Sequence, residues 1–276
     1  MPVTRFAPSP TGLLHLGHAY AVVYAWRRAR ESDGRFFLRI EDIDSGRCRE
    51  EFVGAIVRDL EWLGLDWDGP VRRQSEHLGD YRAALGRLEA QGLIYPCFCS
   101  RADIARALDA PQGPDGPLYP GTCRGLSEAE RAKKIATGAS FALRLDVAKA
   151  IVRTGPLDWT DEVAGRVTAD PLLLGDVVLA RKDTPTSYHL AVTIDDAMQG
   201  VSLVTRGADL FAATHVHRLL QTLLDLPVPL YRHHPLVTDA AGRRLAKRDK
   251  ALTLAALRRA GRSPAEVRAM AESAAT

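Results

Sequence analysis

A chain of 276 residues with 46% hydrophobic and 26% charged residues can bury a full hydrophobic core, which excludes an intrinsically disordered protein. The N-terminus has neither the basic segment nor the apolar segment of a secretory signal peptide. No apolar run reaches the roughly 18 residues that a membrane span needs. We therefore expect a cytoplasmic protein that does not associate with membranes.

The net charge of +3 is distributed unevenly along the chain. From Arg243 onward there are nine basic and three acidic residues, whereas the rest of the chain is mildly acidic. A basic C-terminal segment on an acidic body suits a polyanion bound at one edge. Alternatively, these basic residues form a solvated helix face, and composition alone does not separate the two interpretations.

The N-terminal third of the sequence alternates between strand and helix patterns. The predicted elements are a strand over 3–7, a helix over 17–30, a strand over 35–40 bounded by Asp33-Gly34, and amphipathic helices over 50–63 and 78–91. This order predicts a parallel sheet with helices on its faces.

The pattern changes between about residues 95 and 183. This stretch contains most of the cysteines, a Pro/Gly-rich segment over 111–125, and short strand patterns over 141–145 and 177–180. We interpret it as an inserted subdomain with its own small α+β fold. Alternation then resumes with a strand over 201–205, a helix over 210–224 and a strand over 230–233. The predicted organisation is an α/β domain in two halves, 1–94 and 184–240, with the insertion at 95–183 and a basic loop and helical segment at 241–276.

A loop rich in proline and glycine follows the first predicted strand and opens the first helix. It reads PSPTGLLHLGH and spans residues 8–18. The start of a helix after such a loop binds phosphates, because unpaired N–H groups and the positive helix end point at the ligand. His15 and His18 can stabilise charge on a phosphate there, and Gly17 leaves room for a nucleotide. Alternatively, both histidines only cap the helix.

A basic loop, RLAKR, occupies residues 244–248. Its lysine, Lys247, could compensate the charge of a departing pyrophosphate. A basic cluster alone is a weak signal, since most are solvated surface. Together with the histidine turn, it predicts an ATP site.

These two segments resemble the HIGH and KMSKS signatures of class I aminoacyl-tRNA synthetases, which have a Rossmann-type catalytic domain. More narrowly, the chain is similar to glutamyl-tRNA synthetases in RFAPSPTG (5–12), RIEDID (39–44), YHLA (188–191) and Arg206-Gly207. It departs from them at Val192 and Leu210, where the full-length enzymes usually have Asn and Trp. It also stops about 30 residues after RLAKR, which predicts the absence of an anticodon-binding domain. The abbreviated form resembles the glutamyl-Q tRNA(Asp) synthetases.

The resemblance implies an activity, partners and site residues. These enzymes activate L-glutamate with ATP and Mg²⁺, without tRNA, and transfer it to queuosine at the wobble position of tRNA(Asp), whose anticodon stem-loop would enter the catalytic cleft of a monomer. The implied ATP-binding residues are His15, Gly17, His18 and Lys247, of which His15, His18 and Lys247 are catalytic. The implied glutamate-binding residues are Arg5, Phe6, Ala7, Pro8, Ser9, Glu41, Tyr188 and Arg206, with the arginines for the carboxylates and Glu41 for the ammonium.

Three of the four cysteines form a further cluster with a tyrosine. Cys97, Cys99, Tyr119 and Cys123 could form a closed tetrahedral Zn²⁺ site of structural type. The resemblance supports this set, because the insertion of the family carries Cys, Cys, Tyr and Cys. The alternative is a group of buried thiols. Cys48 is expected to be a simple thiol.

Other residues have structural interpretations. His215 and His217 are two apart and are predicted to face different sides of a helix, and with His233 and His234 they are assigned structural or exposed positions. The tryptophans are assigned to the core, and Asp195-Asp196 to a turn without chemistry.

Three alternative functions remain at this point. The chain could be a short glutamyl-tRNA synthetase that charges the 3′ end of tRNA(Glu). It could be another nucleotidyltransferase of the HIGH superfamily, although the glutamate-type residues argue against this. It could also be a tRNA-binding relative without catalytic activity.

Overall fold

The computed structural model of the chain describes residues 1–105, 112–114, 116–237 and 253–275. Within these ranges, every helix is too short or too polar to cross a lipid bilayer.

The first part of the chain builds a parallel sheet covered by helices. Its elements are β1 (Val3–Phe6), α1 (Leu16–Arg30), β2 (Arg35–Ile40), α2 (Glu50–Trp62), β3 (Arg72–Arg73), a 3₁₀ turn (Gln74–His77) and α3 (Leu78–Ala90). β2 lies between β1 and β3 and is parallel to both. Its buried side chains join those of α1 and α2 in the largest core cluster. The elements predicted for this part are thus present, and each predicted end agrees with the structure to within one residue.

The turn between α1 and β2 requires its Asp33-Gly34 sequence. Asp33 has a left-handed backbone with φ of 49°, a conformation that Asp tolerates better than most residues. A Cβ atom added at Gly34 would lie only 2.0 Å from the carbonyl oxygen of Pro2. This close approach brings the start of β2 beside the start of β1, where Arg35 N donates to Pro2 O at 3.0 Å.

The middle of the chain forms a lobe around a small antiparallel sheet. Its elements are β4 (Ile94–Cys97), α4 (Arg101–Ala105), β5 (Gln112–Gly113), β6 (Gly116–Pro117), α5 (Glu128–Ala136), β7 (Ala142–Leu145), α6 (Val147–Thr154), β8 (Asp158–Asp161), β9 (Gly165–Thr168), a 3₁₀ turn (Pro171–Leu174) and β10 (Val178–Ala180). β7 lies between β4 and β10 and is antiparallel to both. The hairpin of β8 and β9 pairs elsewhere, because Tyr231 in the last strand is the parallel partner of Asp161.

The last part of the chain returns to parallel strands and helices. Its elements are α7 (Tyr188–Met198), β11 (Leu203–Gly207), a 3₁₀ turn (Ala208–Leu210), α8 (Phe211–Leu223), β12 (Leu230–His234), α9 (Leu254–Arg259) and α10 (Pro264–Ser273). β11 and β12 are parallel over five residue pairs. Ser202 N donates to Val3 O at 3.0 Å, so β11 runs beside β1. Through this contact the sheet of β1, β2 and β3 lies next to the sheet of β11, β12, β8 and β9.

Two adjacent acids on α7 connect the parts of the fold. The prediction that Asp195-Asp196 lies in a turn is wrong, since both residues are in the helix and buried. Asp196 accepts from Arg5 Nε at 2.9 Å and from Arg39 NH1 at 2.7 Å. The backbone of both residues belongs to α7, while the carboxylate of Asp196 binds arginines on β1 and β2.

Asp195 makes the second set of connections. It accepts hydrogen bonds from Arg72 Nε, Gln74 Nε2 and Tyr81 OH, at distances of 2.8 to 3.0 Å. Arg39 Nε also lies 3.8 Å from it. Because Asp195 is fully buried, removal of its carboxylate would leave these donors without this acceptor at a place that is largely inaccessible to water.

We therefore expect Asp195→Ala to destabilise the fold by about 3 to 5 kcal/mol, the usual result of removing one partner of a buried ion pair. Urea unfolding followed by circular dichroism measures this free energy. Glu51→Ala, on the exposed face of α2, is the control and should change stability by less than about 0.5 kcal/mol. Equal stability of the two variants would contradict the assigned role of Asp195.

Candidate functional site

The histidine turn is built around the start of α1. His15 is the residue that caps this helix, and its Nδ1 accepts from Gly17 N at 3.1 Å. His18 Nδ1 in turn accepts from His15 N at 3.1 Å. A neutral imidazole that accepts at Nδ1 carries its proton on Nε2. The two rings, with centroids 3.9 Å apart, therefore present N–H donors beside a positive helix end.

The same geometry explains the glycine of this turn. A Cβ atom at Gly17 would lie 3.0 Å from Cε1 and 3.2 Å from Nδ1 of His15. Any side chain there would press on the imidazole that caps the helix. The turn is therefore both a helix cap and a surface without a side chain at its centre, which is what close approach of a phosphate requires.

Lys247 and the rest of RLAKR lie outside the described residues. The residues on either side of that gap are described, and both lie at the histidine turn. Val237 Cβ is 3.8 Å from the Cβ position of Gly17, and Thr253 forms a β-bridge with His15. Leu254 N also donates to Leu14 O at 2.9 Å. The described residues on both sides of this gap thus lie at the histidine turn.

Arg5 and Glu41 lie near each other at the ends of β1 and β2. Arg5 is buried, and it donates to Asp196 and to the carbonyl oxygen of Thr205 at 3.1 Å. Glu41 Oε1 accepts from Arg39 NH2 at 3.3 Å. Burial raises the pKa of Glu41, an effect that the cations Arg39 and Arg5 oppose. For Asp196, burial also opposes ionisation, but Arg5 and Arg39 outweigh it and lower the pKa.

Arg206 on β11 is a third buried arginine, and its environment differs from that of the other two. Its Nε donates to His233 Nε2 at 3.2 Å and its NH1 to His217 Nδ1 at 3.1 Å. NH2 donates to the hydroxyl of Thr214, and NH1 lies 3.5 Å from the hydroxyl of Tyr188. The acceptors in these four contacts are imidazoles and hydroxyls. In the described part of the chain, no carboxylate oxygen lies within 4.0 Å of this guanidinium.

The prediction allowed exposed positions for His215, His217, His233 and His234, and this part of it is wrong. All four are buried, and His217 and His233 belong to the site because they contact Arg206. Burial, reinforced by the nearby Arg206 cation, lowers the pKa of His217 well below its usual range and that of His233 to about 4. His215 has the predicted structural role, since its Nδ1 accepts from Asp170 N at 3.0 Å and from the indole of Trp159.

Tyr188, at the start of α7, marks the point where the predicted glutamate-binding residues meet. Burial raises the pKa of its hydroxyl. Among the charges that shift this pKa, Arg206 and Arg5 lower it and Glu41 raises it. Arg206, Arg5 and Glu41 therefore all affect the pKa of Tyr188. The structure thus places these four residues, which are far apart in the sequence, in one region.

The remaining predicted glutamate-binding residues belong to the loop after β1. Pro8 O accepts from Glu41 N at 3.0 Å, which attaches this loop to the end of β2. Phe6 packs its side chain into the core, so its contribution to a site is limited to its backbone. Ala7 is half-buried, and Ser9 is exposed.

A cleft of about 860 Å³ extends from Tyr188 and His189 to the cysteine cluster of the middle lobe. Its walls include the cations Arg144, Arg181 and Lys182 and the acids Asp176 and Asp183. Ser187 also lines it, and the buried hydroxyl of this residue has no hydrogen-bond partner in the described structure. A volume of this size accommodates a small organic ligand, and an unsatisfied buried hydroxyl at its wall is suited to bind one.

The three clustered cysteines are close enough to bind one ion. The Sγ atoms of Cys97, Cys99 and Cys123 all lie within 4.8 Å of one another, and those of Cys99 and Cys123 are 3.6 Å apart. Tetrahedral coordination with metal–sulfur bonds of about 2.3 Å places sulfur atoms roughly 3.8 Å apart. The hydroxyl of Tyr119 is adjacent, since it accepts from Cys123 N at 2.6 Å. The cluster could therefore hold a metal ion, whereas the half-buried Cys48 lies outside it.

Comparison with known proteins gives consistent results. Residues 2–270 match the family of class I tRNA synthetases (E and Q), catalytic domain. The glutamyl-Q tRNA(Asp) synthetase of Rhodobacter capsulatus is 50% identical over 96% of this chain and 98% of its own length. The enzyme of the same name from Nocardia farcinica is 48% identical over 96% of this chain and 82% of its own length.

Solved structures agree with the sequence relatives. A glutamate tRNA ligase from Elizabethkingia meningosepticum, in complex with its amino acid, superposes with a TM-score of 0.74 at 27% identity. The match covers 90% of this chain and 52% of the ligase, so the chain spans about half the length of that enzyme. The α/β fold predicted from the sequence is confirmed. The chain belongs to the glutamyl-Q tRNA(Asp) synthetase family of class I tRNA synthetase-like ligases.

Proposed function

We propose that this enzyme activates L-glutamate with ATP and Mg²⁺, independently of tRNA, and transfers the glutamyl group to queuosine at the wobble position of tRNA(Asp). The observation that carries the first half is Arg206, a buried cation whose close contacts, among the residues that the structure describes, are all neutral. A buried charge is stable when it is paired, so this guanidinium is suited to receive a carboxylate from a ligand.

The neighbouring residues complement the rest of a glutamate molecule. Glu41 is suited to pair with the ammonium group. Burial raises the pKa of its carboxyl group, Arg39 and Arg5 oppose this rise, and a ligand ammonium at the same place would favour the ionised form further. Tyr188 can donate to a ligand oxygen, since its raised pKa keeps the hydroxyl protonated. Arg5, although bound to Asp196, contributes positive charge at the same point.

The chemistry of activation then needs positioning more than proton transfer. A carboxylate is ionised at pH 7, so its oxygen can attack the α-phosphorus of ATP without a general base. The bond from that phosphorus to the bridging oxygen breaks, and pyrophosphate leaves. The N–H donors of His15 and His18 stabilise the developing charge, with Lys247 and Mg²⁺ compensating pyrophosphate.

Lys247 can reach this turn from its place in the sequence. It is six residues from Thr253, which pairs with His15, and six extended residues span at most about 20 Å. We propose that this amine and the two imidazoles act on the same triphosphate.

Transfer requires a hydroxyl of the acceptor to attack the mixed anhydride with release of AMP. The cleft that leads from Tyr188 past Ser187, Arg181 and Lys182 is the route that we propose for the acceptor nucleoside. Its cations suit an RNA backbone. Its volume, about 860 Å³, is sufficient for a modified base with its sugar.

The decisive experiment has two stages. ATP–pyrophosphate exchange that depends on glutamate, without tRNA, is expected and would exclude a binding protein without catalytic activity. Labelled glutamate is then offered to tRNA(Asp) with queuosine, without queuosine, and with queuosine but lacking the 3′-terminal adenosine. Labelling of the first and third but not the second is expected. Labelling that requires the terminal adenosine, or labelling of tRNA(Glu), would instead identify an enzyme that charges the 3′ end.

Lys247→Ala should reduce glutamate-dependent pyrophosphate exchange by at least about 100-fold, as is usual when one preorganised group that stabilises transition-state charge is lost. Thermal unfolding should be unchanged. Lys250→Ala removes the same charge three residues away and is the matched control, with a much smaller expected effect. An unchanged exchange rate in Lys247→Ala would remove this lysine from the mechanism.

We also propose that the ion bound by Cys97, Cys99, Cys123 and Tyr119 is a structural Zn²⁺. Purified protein should contain close to one equivalent of zinc, measured by mass spectrometry of the metal. Cys123→Ser should lose it, because a hydroxyl is a much weaker zinc ligand than a thiolate. Cys48→Ser is the control and should retain zinc. Metal-free parent protein that keeps its stability and activity would count against the site.

A further inference from the structure

We propose that His217, assisted by His233, is a positioning residue that keeps Arg206 available for a ligand carboxylate and so sets the choice of an acidic over an amide side chain. This inference deepens the proposed function, because it assumes that Arg206 binds the amino-acid substrate. It concerns side chains that hold the guanidinium and do not touch the substrate themselves.

The first step is the contrast between the buried arginines. Arg5 and Arg39 both pair with Asp196 at hydrogen-bond distance. Arg206 is equally buried, yet it is held on one side by His233 and on another by His217, at 3.2 and 3.1 Å. Imidazoles fix the direction of its N–H groups without neutralising its charge. The cation is therefore oriented but not compensated.

The second step assigns the positions of the ring protons of His217 and His189. An arginine has no acceptor, so Nδ1 of His217 accepts from it and the proton of this ring lies on Nε2. That nitrogen is 3.2 Å from Nδ1 of His189, which therefore accepts in turn. His189 lines the cleft, so a chain of two imidazoles connects the guanidinium to that wall.

The ring of His233 is fixed in the same way from the other side. Its Nε2 accepts from Arg206, so its Nδ1 carries the proton and donates to Asp161 Oδ2 at 2.7 Å. Asp161 is buried and also accepts from the backbone N–H groups of Val163 and Ala164. The one carboxylate in this chain of contacts is thus separated from Arg206 by a whole imidazole.

The third step concerns selectivity. Glutamate and glutamine have nearly the same shape, and they differ in that glutamine replaces one acceptor oxygen by an NH₂ donor. A guanidinium has only hydrogen-bond donors, so it can donate two hydrogen bonds to a carboxylate. It cannot form a hydrogen bond with the NH₂ group of an amide, which is also a donor. This discrimination is lost if the protein supplies a carboxylate of its own at the position of His217.

A pair of variants with the same shape tests this step. His217→Gln retains a neutral acceptor, whereas His217→Glu introduces a carboxylate of the same size. The measurements are kcat and KM of pyrophosphate exchange with L-glutamate and with L-glutamine. For His217→Gln, we expect a KM for glutamate within about tenfold of the parent and a preserved preference over glutamine.

For His217→Glu, we expect the KM for glutamate to rise at least about 100-fold, with a smaller change in kcat. The glutamate-to-glutamine ratio of kcat/KM should fall by a similar factor. A merely structural role for His217 would affect both variants and both substrates alike. His215→Gln, on the same helix but in contact with Trp159 and Asp170, is the control and should leave the substrate ratio unchanged.

The outcomes separate this inference from the proposed function. Parent enzyme without glutamate-dependent exchange would refute the function. Active parent enzyme with equal KM values and equal substrate ratios for His217→Gln and His217→Glu would overturn the role of His217 alone. If His217→Glu does not fold, as judged by circular dichroism, the pair His217→Asn and His217→Asp replaces it, and the same comparison of KM and substrate ratio decides.

Discussion

The pairing of two adjacent acids on α7 with arginines on three strands is the interaction on which the site depends. Asp196 binds Arg5 and Arg39, and Asp195 binds Arg72, so one turn of helix fixes β1, β2 and β3 relative to the later half of the chain. Burial of several charges is unfavourable unless all are paired, which makes this arrangement all-or-none. It determines where Glu41 lies with respect to Tyr188, since Arg39 also holds Glu41.

Arg206 differs from this charge-compensated cluster in its partners. Three buried arginines surround the same region, and two of them are paired with carboxylates of the fold: Arg5 with Asp196, and Arg39 with Asp196 and Glu41. The third is bound by imidazoles and hydroxyls. The proposed division of labour is therefore electrostatic: the paired arginines maintain the geometry, and we propose that the arginine among neutral partners provides the attraction for an anionic ligand.

Local patterns in the sequence were sufficient for much of the fold. The strands around Arg5 and Arg39, the helix after the histidine turn and the three-cysteine cluster follow from periodicity, glycine placement and spacing. The position of Asp195-Asp196 could not be predicted this way, because two acids in an apolar helix are stabilised by arginines, a glutamine and a tyrosine that lie more than a hundred residues away in the sequence. His217 and His233 could not be assigned to the site from local patterns either, because their partner Arg206 lies on another element. Roles that depend on such long-range partners require the folded structure, whereas the assignment of Arg5, Glu41, Tyr188 and Arg206 to a site came from family resemblance.

The cysteine cluster and the cleft share a wall. Cys97, Cys99 and Tyr119 line the same space as Ser187 and His189, and the guanidinium of Arg144 stacks over the ring of Tyr119 at 3.9 Å. An ion held by the thiols and a molecule bound in the cleft would thus share contacts with Cys97, Cys99 and Tyr119. Coupling between two binding sites is reciprocal: if the ion changes the affinity for the molecule by some factor, the molecule changes the affinity for the ion by the same factor. Where that factor differs from one, metal exchange from the middle lobe reports on occupancy of the cleft.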